Sequence, residues 1–198
     1  MFTGIIEKQG KVKDFSKSES GARLILDKPL DWITSLGDSI AVQGACLTIA
    51  EQDKETLSFD LMPETLGKTV FGIHEFKKVN LEQATTLQTK LDGHIVSGHV
   101  DTVGVVGSVQ DNNGEYVIRI SFDEQFASLV IMKGSVTIDG VSLTVTGIGD
   151  NWCEVCLIPF TLEHTTLGSL EKNSKVNLEF DMIGKYINRF MEIHHAGK

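Results

Sequence analysis

Two short segments pair a nucleophilic or hydroxyl side chain with a second hydroxyl two residues later. They are Cys46-Leu47-Thr48 and Ser142-Leu143-Thr144. Residues two apart in a β-strand lie on the same face, so each segment offers hydrogen-bond donors and acceptors on one side. Such a face binds a small polar ligand where it lines a barrel mouth, whereas the alternative is that these groups satisfy the neighbouring backbone. Occurrence in both segments favours two related ligand pockets.

Phosphate and dinucleotide signatures are incomplete in this sequence. Gly67-Lys68-Thr69 resembles the end of a phosphate-binding loop, but Met62 stands where the upstream glycine is required. Gly104-Val-Val-Gly107 is too weak a match for a dinucleotide fingerprint.

Metal signatures are incomplete as well. Cys153 and Cys156 have the spacing of half a zinc site, yet a strand through them would send their sulfurs to opposite faces. His94 and His99 have no accompanying cluster of carboxylates or cysteines. We therefore expect no metal and no cofactor.

The two polar segments belong to an internal repeat. Residues 37–72 set against 133–168, at a constant offset of 96, give 10 identities in 36 positions, and chance would give roughly two. The identical pairs are Ser39/Ser135, Gly44/Gly140, Leu47/Leu143, Thr48/Thr144, Leu61/Leu157, Pro63/Pro159, Thr65/Thr161, Leu66/Leu162, Thr69/Thr165 and Gly72/Gly168. The period is far longer than that of a solenoid, so the pattern indicates a tandem domain duplication.

Each copy reads as a set of short strands. Segments rich in β-branched residues begin at Ser39, Cys46 and Leu57, and again at Ser135, Ser142 and Cys153, with Pro63 and Pro159 ending the last of each set. Turns such as Asp111–Gly114 separate further strands. Closure into a barrel removes exposed sheet edges. The predicted fold is all-β, with two antiparallel barrels and short helical turns at 63–69, at the equivalent place in the second copy, and at 123–130.

Composition excludes several classes of protein. The chain has 198 residues, 41% hydrophobic and 23% charged, with a net charge of −9 and no block of lysine and arginine, which argues against a nucleic-acid phosphate track. Three cysteines do not make a disulfide framework, which favours a reducing compartment. The apolar start is too short for a signal peptide, and no stretch of about 18 apolar residues could cross a bilayer. We expect a cytoplasmic protein.

The tail departs from the repeat. Ile183, Tyr186, Ile187, Phe190 and Ile193 have helical spacing and predict a helix with one apolar face. A lone helix of about a dozen residues is marginal in water, so this face must pack either on its own barrel or against other subunits.

Four segments together resemble the riboflavin synthase family, alpha-chain type. They are the start Met1-Phe-Thr-Gly-Ile-Ile-Glu7, the segment Gly44–Thr48, the run Gly93-His-Ile-Val-Ser-Gly-His-Val-Asp101, and Lys133–Thr144. They occur in the family's order and spacing, and the similarity covers nearly the whole chain.

This resemblance implies two six-stranded Greek-key barrels, at 1–93 and 94–183, and a C-terminal oligomerisation helix at 184–198 of a homotrimer. It implies that two molecules of 6,7-dimethyl-8-ribityllumazine dismutate by transfer of a four-carbon unit, giving riboflavin and 5-amino-6-(D-ribitylamino)uracil. Electrons move only between identical substrates, so the implied reaction needs no cofactor. The possible partners are that substrate, other copies of the chain and lumazine synthase, without nucleic acid or membrane.

The resemblance also assigns ligand contacts in each half. In the N-terminal barrel it implies Gly4, Ile5, Ile6, Cys46, Leu47, Thr48, Asp60, Leu61, Met62, Pro63, Glu64 and Thr65. In the C-terminal barrel it implies Gly98, His99, Val100, Lys133, Ser142, Leu143, Thr144, Cys156, Leu157, Ile158, Pro159, Phe160 and Thr161.

Roles in the implied reaction follow from the chemistry of the carried-over groups. His99 and Ser142 would assist deprotonation of the acidic C7 methyl group or activate a nucleophile, and Cys46 would add to the second substrate or deliver water to it. The supporting hydroxyls and carboxyl are Ser39, Thr48, Thr144 and Asp181. Lys133 and Asp139 would orient the site electrostatically.

One alternative function shares this fold. Lumazine- or flavin-carrying antenna proteins resemble the synthase but lose many polar residues of the second pocket. Cys46, His99, Lys133 and Ser142 are all present here, which favours the enzyme.

Overall fold

The computed structural model of the chain describes residues 1–73, 76–112 and 115–195. The first half contains six strands and two helical turns. They are β1 (Lys8–Ser18), β2 (Gly21–Asp27), β3 (Ser39–Val42), β4 (Ala45–Gln52), β5 (Thr56–Leu61), α1 (Pro63–Lys68), a 3-10 turn at Val70–Gly72, and β6 (Lys78–Gln83).

The second half repeats this order, with an additional 3-10 turn after its second strand, and ends in a C-terminal helix. Its elements are β7 (Thr102–Asn112), β8 (Glu115–Ser121), a 3-10 turn at Glu124–Leu129, β9 (Ser135–Ile138), β10 (Val141–Gly149), β11 (Trp152–Leu157), α2 (Pro159–His164), a 3-10 turn at Thr166–Ser169, β12 (Lys175–Phe180) and α3 (Met182–His195). The predicted turn at Asp111–Gly114 includes residues 113 and 114, which lie outside the described residues.

Both sets of strands close into antiparallel barrels of the same topology. The order around the first barrel is β1-β2-β5-β4-β3-β6, and the second barrel follows the equivalent order β7-β8-β11-β10-β9-β12. The predicted fold class is therefore confirmed. Pro63 and Pro159 start helices directly after β5 and β11, because proline suits the first helical position but cannot donate to a sheet.

Apolar side chains fill the interior of each barrel. Leu47 of β4 and Leu143 of β10 belong to the two cores, whereas Cys46, Thr48, Ser142 and Thr144 alternate with them and point outward. Even eight strands enclose only enough room for packed side chains, and six enclose less. The polar face therefore lies on the outer wall of each barrel, so the condition that it lines a barrel mouth is not met.

The barrels meet at two equivalent turns. Gly44 (φ +81°) and Gly140 (φ +84°) face one another, and a Cβ on Gly44 would lie 2.6 Å from the Gly140 nitrogen. Asn80 Nδ2 donates to the Asp139 carbonyl at 2.9 Å, and Asn177 Nδ2 donates to the Gln43 carbonyl at 2.8 Å. An asparagine of each barrel therefore donates a hydrogen bond to a turn carbonyl of the other barrel, and these bonds hold the two halves together.

The C-terminal helix α3 leaves its apolar face exposed. Ile183, Tyr186, Ile187, Phe190 and Ile193 are between 57% and 76% exposed. Lys185 anchors the helix start through an ion pair with Asp101 at 2.6 Å. The predicted helix is present, but the alternative that its apolar face packs on its own barrel is wrong. In the described ranges, no helix combines the length and hydropathy that a membrane span requires.

Candidate functional site

Two short segments lie between the barrels, and each is held by a buried glutamate. The Thr3 and Gly4 N–H groups donate to the Glu82 carboxylate at 2.6 and 3.0 Å, and Thr3 Oγ1 donates at 2.7 Å. The Ser97 and Gly98 N–H groups donate to the Glu179 carboxylate at 2.7 and 2.9 Å in the same way, and Ser97 Oγ donates at 2.6 Å. The identical geometry shows that the duplication includes these segments.

Burial raises the pKa of Glu82, and the hydrogen bonds from Thr3 and Gly4 oppose that rise. Hydrogen bonds to a carboxylate favour its charged form. The hydrogen bonds from Thr3 and Gly4 therefore stabilise the charged form of Glu82, and Glu82 in turn holds this segment in place.

Each segment delivers a glycine to the outer wall of the opposite barrel. The Gly4 carbonyl accepts from Ser142 N at 2.7 Å, and the Gly98 carbonyl accepts from Cys46 N at 2.8 Å. Both glycines have positive φ, +77° and +79°, and an added Cβ would lie 2.6 Å from the Cβ of Ser142 or Cys46. Glycine is required at both positions, because any side chain would collide with the outward-facing pair.

This exchange corrects the sequence-based grouping of the site residues. Gly4, Ile5 and Ile6 were expected with the N-terminal barrel, but Gly4 lies on Ser142 of the C-terminal one. Gly98, His99 and Val100 were expected with the C-terminal barrel but line a cavity beside Cys46. Each pocket is therefore built from residues of both halves of the chain. The resemblance implied the individual contact residues but not this pairing between distant parts of the sequence.

The N-terminal pocket is a cavity of about 400 Å³ on the outer wall of the first barrel. It is lined by Ala45, Cys46, Glu64, Thr65, Lys68, Thr69, Gly98, His99 and Val100. Glu64 and Lys68, one turn apart on α1, pair at 3.6 Å. A half-buried thiol, an exposed imidazole and an ion pair thus converge on one hollow.

The C-terminal pocket is the equivalent surface around Ser142. Its positions, taken through the repeat, are Gly4, Ile5, Ile6, Val141, Ser142, Phe160, Thr161, His164 and Thr165. On α2 the Phe160 and His164 rings stack with centroids 4.0 Å apart, where α1 has the Glu64–Lys68 pair. The two pockets therefore share a backbone plan but differ in side-chain chemistry.

His94 is a site residue that sequence reasoning did not assign. Its Nδ1 lies 2.7 Å from Ser142 Oγ and its Nε2 lies 3.3 Å from Thr137 Oγ1. Burial lowers the pKa of His94, and the nearby Asp181 opposes that shift. The available signal was its place in the run Gly93–Asp101, but no local pattern indicates that His94 lies against Thr137 of β9 and Ser142 of β10.

Several predicted residues flank the pockets. Ser39 pairs in register with Thr48, as Ser135 does with Thr144, so these hydroxyls share the outer wall. Asp181 accepts from the second N–H beyond it at the start of α3. Lys133 is exposed in the loop before β9, with φ +63°.

Four predicted ligand contacts have side chains turned into the barrel cores. Leu47, Leu61, Leu143 and Leu157 are at most 9% exposed. A ligand on the outer wall could reach only their backbone. This follows from strand alternation, because each leucine neighbours an outward-facing residue.

Asp139 and Asp60 also lie apart from the Cys46 cavity. The Asp139 carboxylate is buried in the barrel interface and accepts from Asn177 N at 2.7 Å. Burial raises the pKa of Asp139 to about 7, against the hydrogen bonds from Asn177 and Gln43. Asp60 pairs with Arg23 of the neighbouring strand at 2.9 Å. Asp139 was expected to orient the site electrostatically, but its carboxylate is hydrogen-bonded inside the interface between the barrels.

The positions of the remaining predicted contacts follow from the ends of the fifth strands. Met62 and Ile158 are exposed and precede Pro63 and Pro159, where α1 and α2 begin. Cys156 points outward from β11, and burial together with Glu115 raises its pKa. Cys153 points into the core, where burial raises its pKa to about 12. The two sulfurs lie on opposite faces, as predicted.

A larger hollow of about 770 Å³ lies elsewhere between the barrels. Gln43, Asp139, Thr166 and Lys175 are among its lining residues. Of the predicted catalytic residues it contains only Asp139, whose carboxylate is already hydrogen-bonded. The outward pairs beside the crossing glycines are therefore the stronger candidate site, although their cavity is smaller.

Comparisons with known proteins agree with this internal duplication. The family model "Lumazine binding domain" matches twice, over residues 3–84 and 97–181. A riboflavin synthase of Mycobacterium tuberculosis is 42% identical over 197 residues, covering 96% of this chain and 98% of that protein. One from Bacillus subtilis is 38% identical over 201 residues, covering 100% of this chain and 93% of that protein.

Solved structures of LumP share the fold. LumP complexed with riboflavin superposes with a TM-score of 0.83 at 26% identity, covering 91% of this chain and 100% of that one. LumP complexed with 6,7-dimethyl-8-(1'-D-ribityl) lumazine gives 0.80 at 26% identity, covering 90% and 98%.

Proposed function

This chain belongs to the riboflavin synthase family of tandem lumazine-binding proteins, and we propose that it converts two 6,7-dimethyl-8-ribityllumazine molecules into riboflavin and 5-amino-6-(D-ribitylamino)uracil. The enzyme is a transferase, because one substrate molecule donates a four-carbon unit to the other. The observation that carries the proposal is the pair of equivalent sites at Cys46 and Ser142, each an outward-pointing thiol or hydroxyl on a residue whose backbone N–H donates to the carbonyl of a crossing glycine.

Two similar pockets suit a reaction between two identical molecules. Holding both reactants in a fixed orientation can supply roughly 7–11 kcal/mol of the barrier reduction. The differences between Cys46 and Ser142, and between the α1 ion pair and the α2 ring stack, would give the two molecules different roles.

We assign the groups at the pockets as follows. His99 and Ser142 assist deprotonation of the C7 methyl group or activate a nucleophile. Cys46 adds to the second substrate or delivers water to it. Ser39, Thr144 and Asp181 support these groups, and the exposed Lys133 orients the site electrostatically.

Assembly, compartment and domain limits are part of the proposal. The exposed apolar face of α3 supports a homotrimer, in which the N-terminal pocket of one subunit faces the C-terminal pocket of its neighbour. We place the barrels at 1–93 and 94–183 and the assembly helix at 184–198. Cytoplasmic location and association with lumazine synthase, testable by co-sedimentation, belong to the same proposal.

The second candidate function is ligand carriage without chemistry, which the likeness to LumP favours. Incubation of the purified protein with 6,7-dimethyl-8-ribityllumazine separates the two. We expect the absorbance and fluorescence of riboflavin to appear with turnover. Tight binding without product would reject the enzyme and favour the carrier.

A further inference from the structure

The imidazole of His94 lies between two hydroxyls on the outer wall of the second barrel. Ser142 Oγ is 2.7 Å from Nδ1 and Thr137 Oγ1 is 3.3 Å from Nε2. In the tautomer that carries its proton on Nε2, Ser142 donates to Nδ1 and Nε2–H donates to Thr137.

The N-terminal half lacks this arrangement. Thr137 and Ser142 are cross-strand partners, and Ala41 and Cys46 occupy the equivalent pair in the first barrel. Asp181 follows β12 where Ala84 follows β6. Phe2, Ala41 and Val96 form a small apolar cluster there, against which Cys46 and Ala84 pack. The polar set is therefore specific to the C-terminal pocket and is not demanded by the barrel fold.

We propose that His94 is a positioning residue for proton removal in the C-terminal pocket, acting through the hydroxyl of Ser142. The inference rests on the proposed function. The C–H bond of the C7 methyl group breaks and its electron pair stays in the ring as a delocalised carbanion. The methyl proton goes to Ser142 Oγ, and the hydroxyl's own proton goes to His94 Nδ1. The reverse transfers return the proton later in the cycle.

The surroundings of His94 suit this role. Burial lowers the pKa of His94, which favours the neutral ring, and the nearby Asp181 would stabilise the imidazolium once it forms. Glu82 of β6 and Glu179 of β12, which are buried, accept hydrogen bonds from the Thr3 and Ser97 segments. Asp181 is thus the charge that acts on the ring. The pocket therefore supplies His94 as the proton acceptor and Asp181 as the negative charge that balances the imidazolium.

The test compares His94→Asn, Ser142→Ala and the double variant by riboflavin formation and by lumazine binding. Asparagine keeps a hydrogen-bonding group near the Nδ1 position but cannot accept the proton. We expect kcat to fall about 100-fold or more in each single variant, with lumazine affinity changed less than about threefold. The double variant should lose no more than the worse single one, because the two residues act as one unit.

The pH profile separates this role from a structural one. In the active wild-type protein, kcat should fall as pH drops through a value below 6.5, the ordinary pKa of histidine. That acid limb should be missing from the residual activity of His94→Asn. Additive losses in the double variant, or an unchanged acid limb, would overturn the proposal while leaving the enzyme function standing.

A measurement on the wild-type protein tests the proposal even where a variant fails to fold. The ¹⁵N shifts of the His94 ring should show a protonated Nε2 and an unprotonated Nδ1. The opposite tautomer would contradict the relay. Absence of riboflavin formation by the wild type would instead reject the proposed function itself.

Discussion

Cys46 and Ser142 have the same backbone setting but different neighbours. Each donates its N–H to a crossing glycine, yet Ser142 also contacts an imidazole. Strand alternation, which is local, was readable in the sequence. The histidine contact joins residues 48 positions apart, so no local pattern could reveal it.

At the N-terminal pocket, His99→Ala and Cys46→Ser are expected to lower turnover more than they weaken lumazine binding. Both side chains line the cavity, and a positioned acid, base or nucleophile contributes about 10²–10⁴-fold to rate. Steady-state kinetics beside fluorescence titration measures the two effects. Unchanged turnover in both variants would show that other residues carry the chemistry.

Gly98→Ala tests the close approach of the crossing segment. The new Cβ would lie 2.6 Å from Cys46 Cβ and 2.9 Å from the Phe2 ring, at φ +79°. We expect a loss of roughly 2–4 kcal/mol in the free energy of unfolding and a sharp drop in activity, because both strain and overpacking apply. Denaturant unfolding measures the loss.

Gly67→Ala is the matched control, since a Cβ there would meet nothing within 4 Å and the residue lies in α1. Its stability should be equal to the parent or slightly higher, because alanine favours helix over glycine. Equal losses in the two variants would contradict the close-approach argument.

At the scale of elements, the turns at Gln43–Gly44 and Asp139–Gly140 show how the duplicated halves have diverged. Gln43 and Asp139 hold equivalent positions, and each accepts from the asparagine N–H of the strand beside it. The neutral amide of Gln43 thus accepts in the first barrel the hydrogen bond that the buried carboxyl of Asp139 accepts in the second. The repeat located these turns in the sequence, but only the packing of two barrels buries them.

Asp139→Asn should flatten the pH dependence of stability. The native pKa of Asp139, about 7, exceeds its ordinary value of 3.8, so between these values the folded state binds more protons than the unfolded one. The free energy of unfolding then falls as pH rises, by up to about 1.4 kcal/mol per pH unit. Asparagine also tolerates the positive φ of 48° at this position.

Chemical denaturation of both proteins at pH 4, 5, 6 and 7 measures this difference. The variant should lose less stability than the parent across the series, and equal slopes would assign the pH dependence to other groups.

For the whole molecule, the exposed face of α3 is the feature that a single chain does not explain. Removal of residues 184–198 should give monomers in sedimentation velocity, because it deletes most of that apolar face. Ile187→Glu with Phe190→Glu keeps the helix and should also dissociate the assembly. A trimer that persists in both variants would place the interface elsewhere.

The sequence by itself determined the duplication, the strand alternation and the proline and glycine breaks, because each depends on neighbouring residues or on a fixed offset. Those features sufficed for two barrels and for placing the two polar members of each pair, at Cys46 and at Ser142, on one face of a strand. Tertiary structure alone decided that the pairs lie on the outer walls, that each crossing segment serves the opposite barrel, and that His94 reaches Ser142. Such placements depend on contacts between residues far apart in the sequence, as between Thr3 and Glu82, which are 79 positions apart. These contacts arise only when barrel closure brings distant residues together.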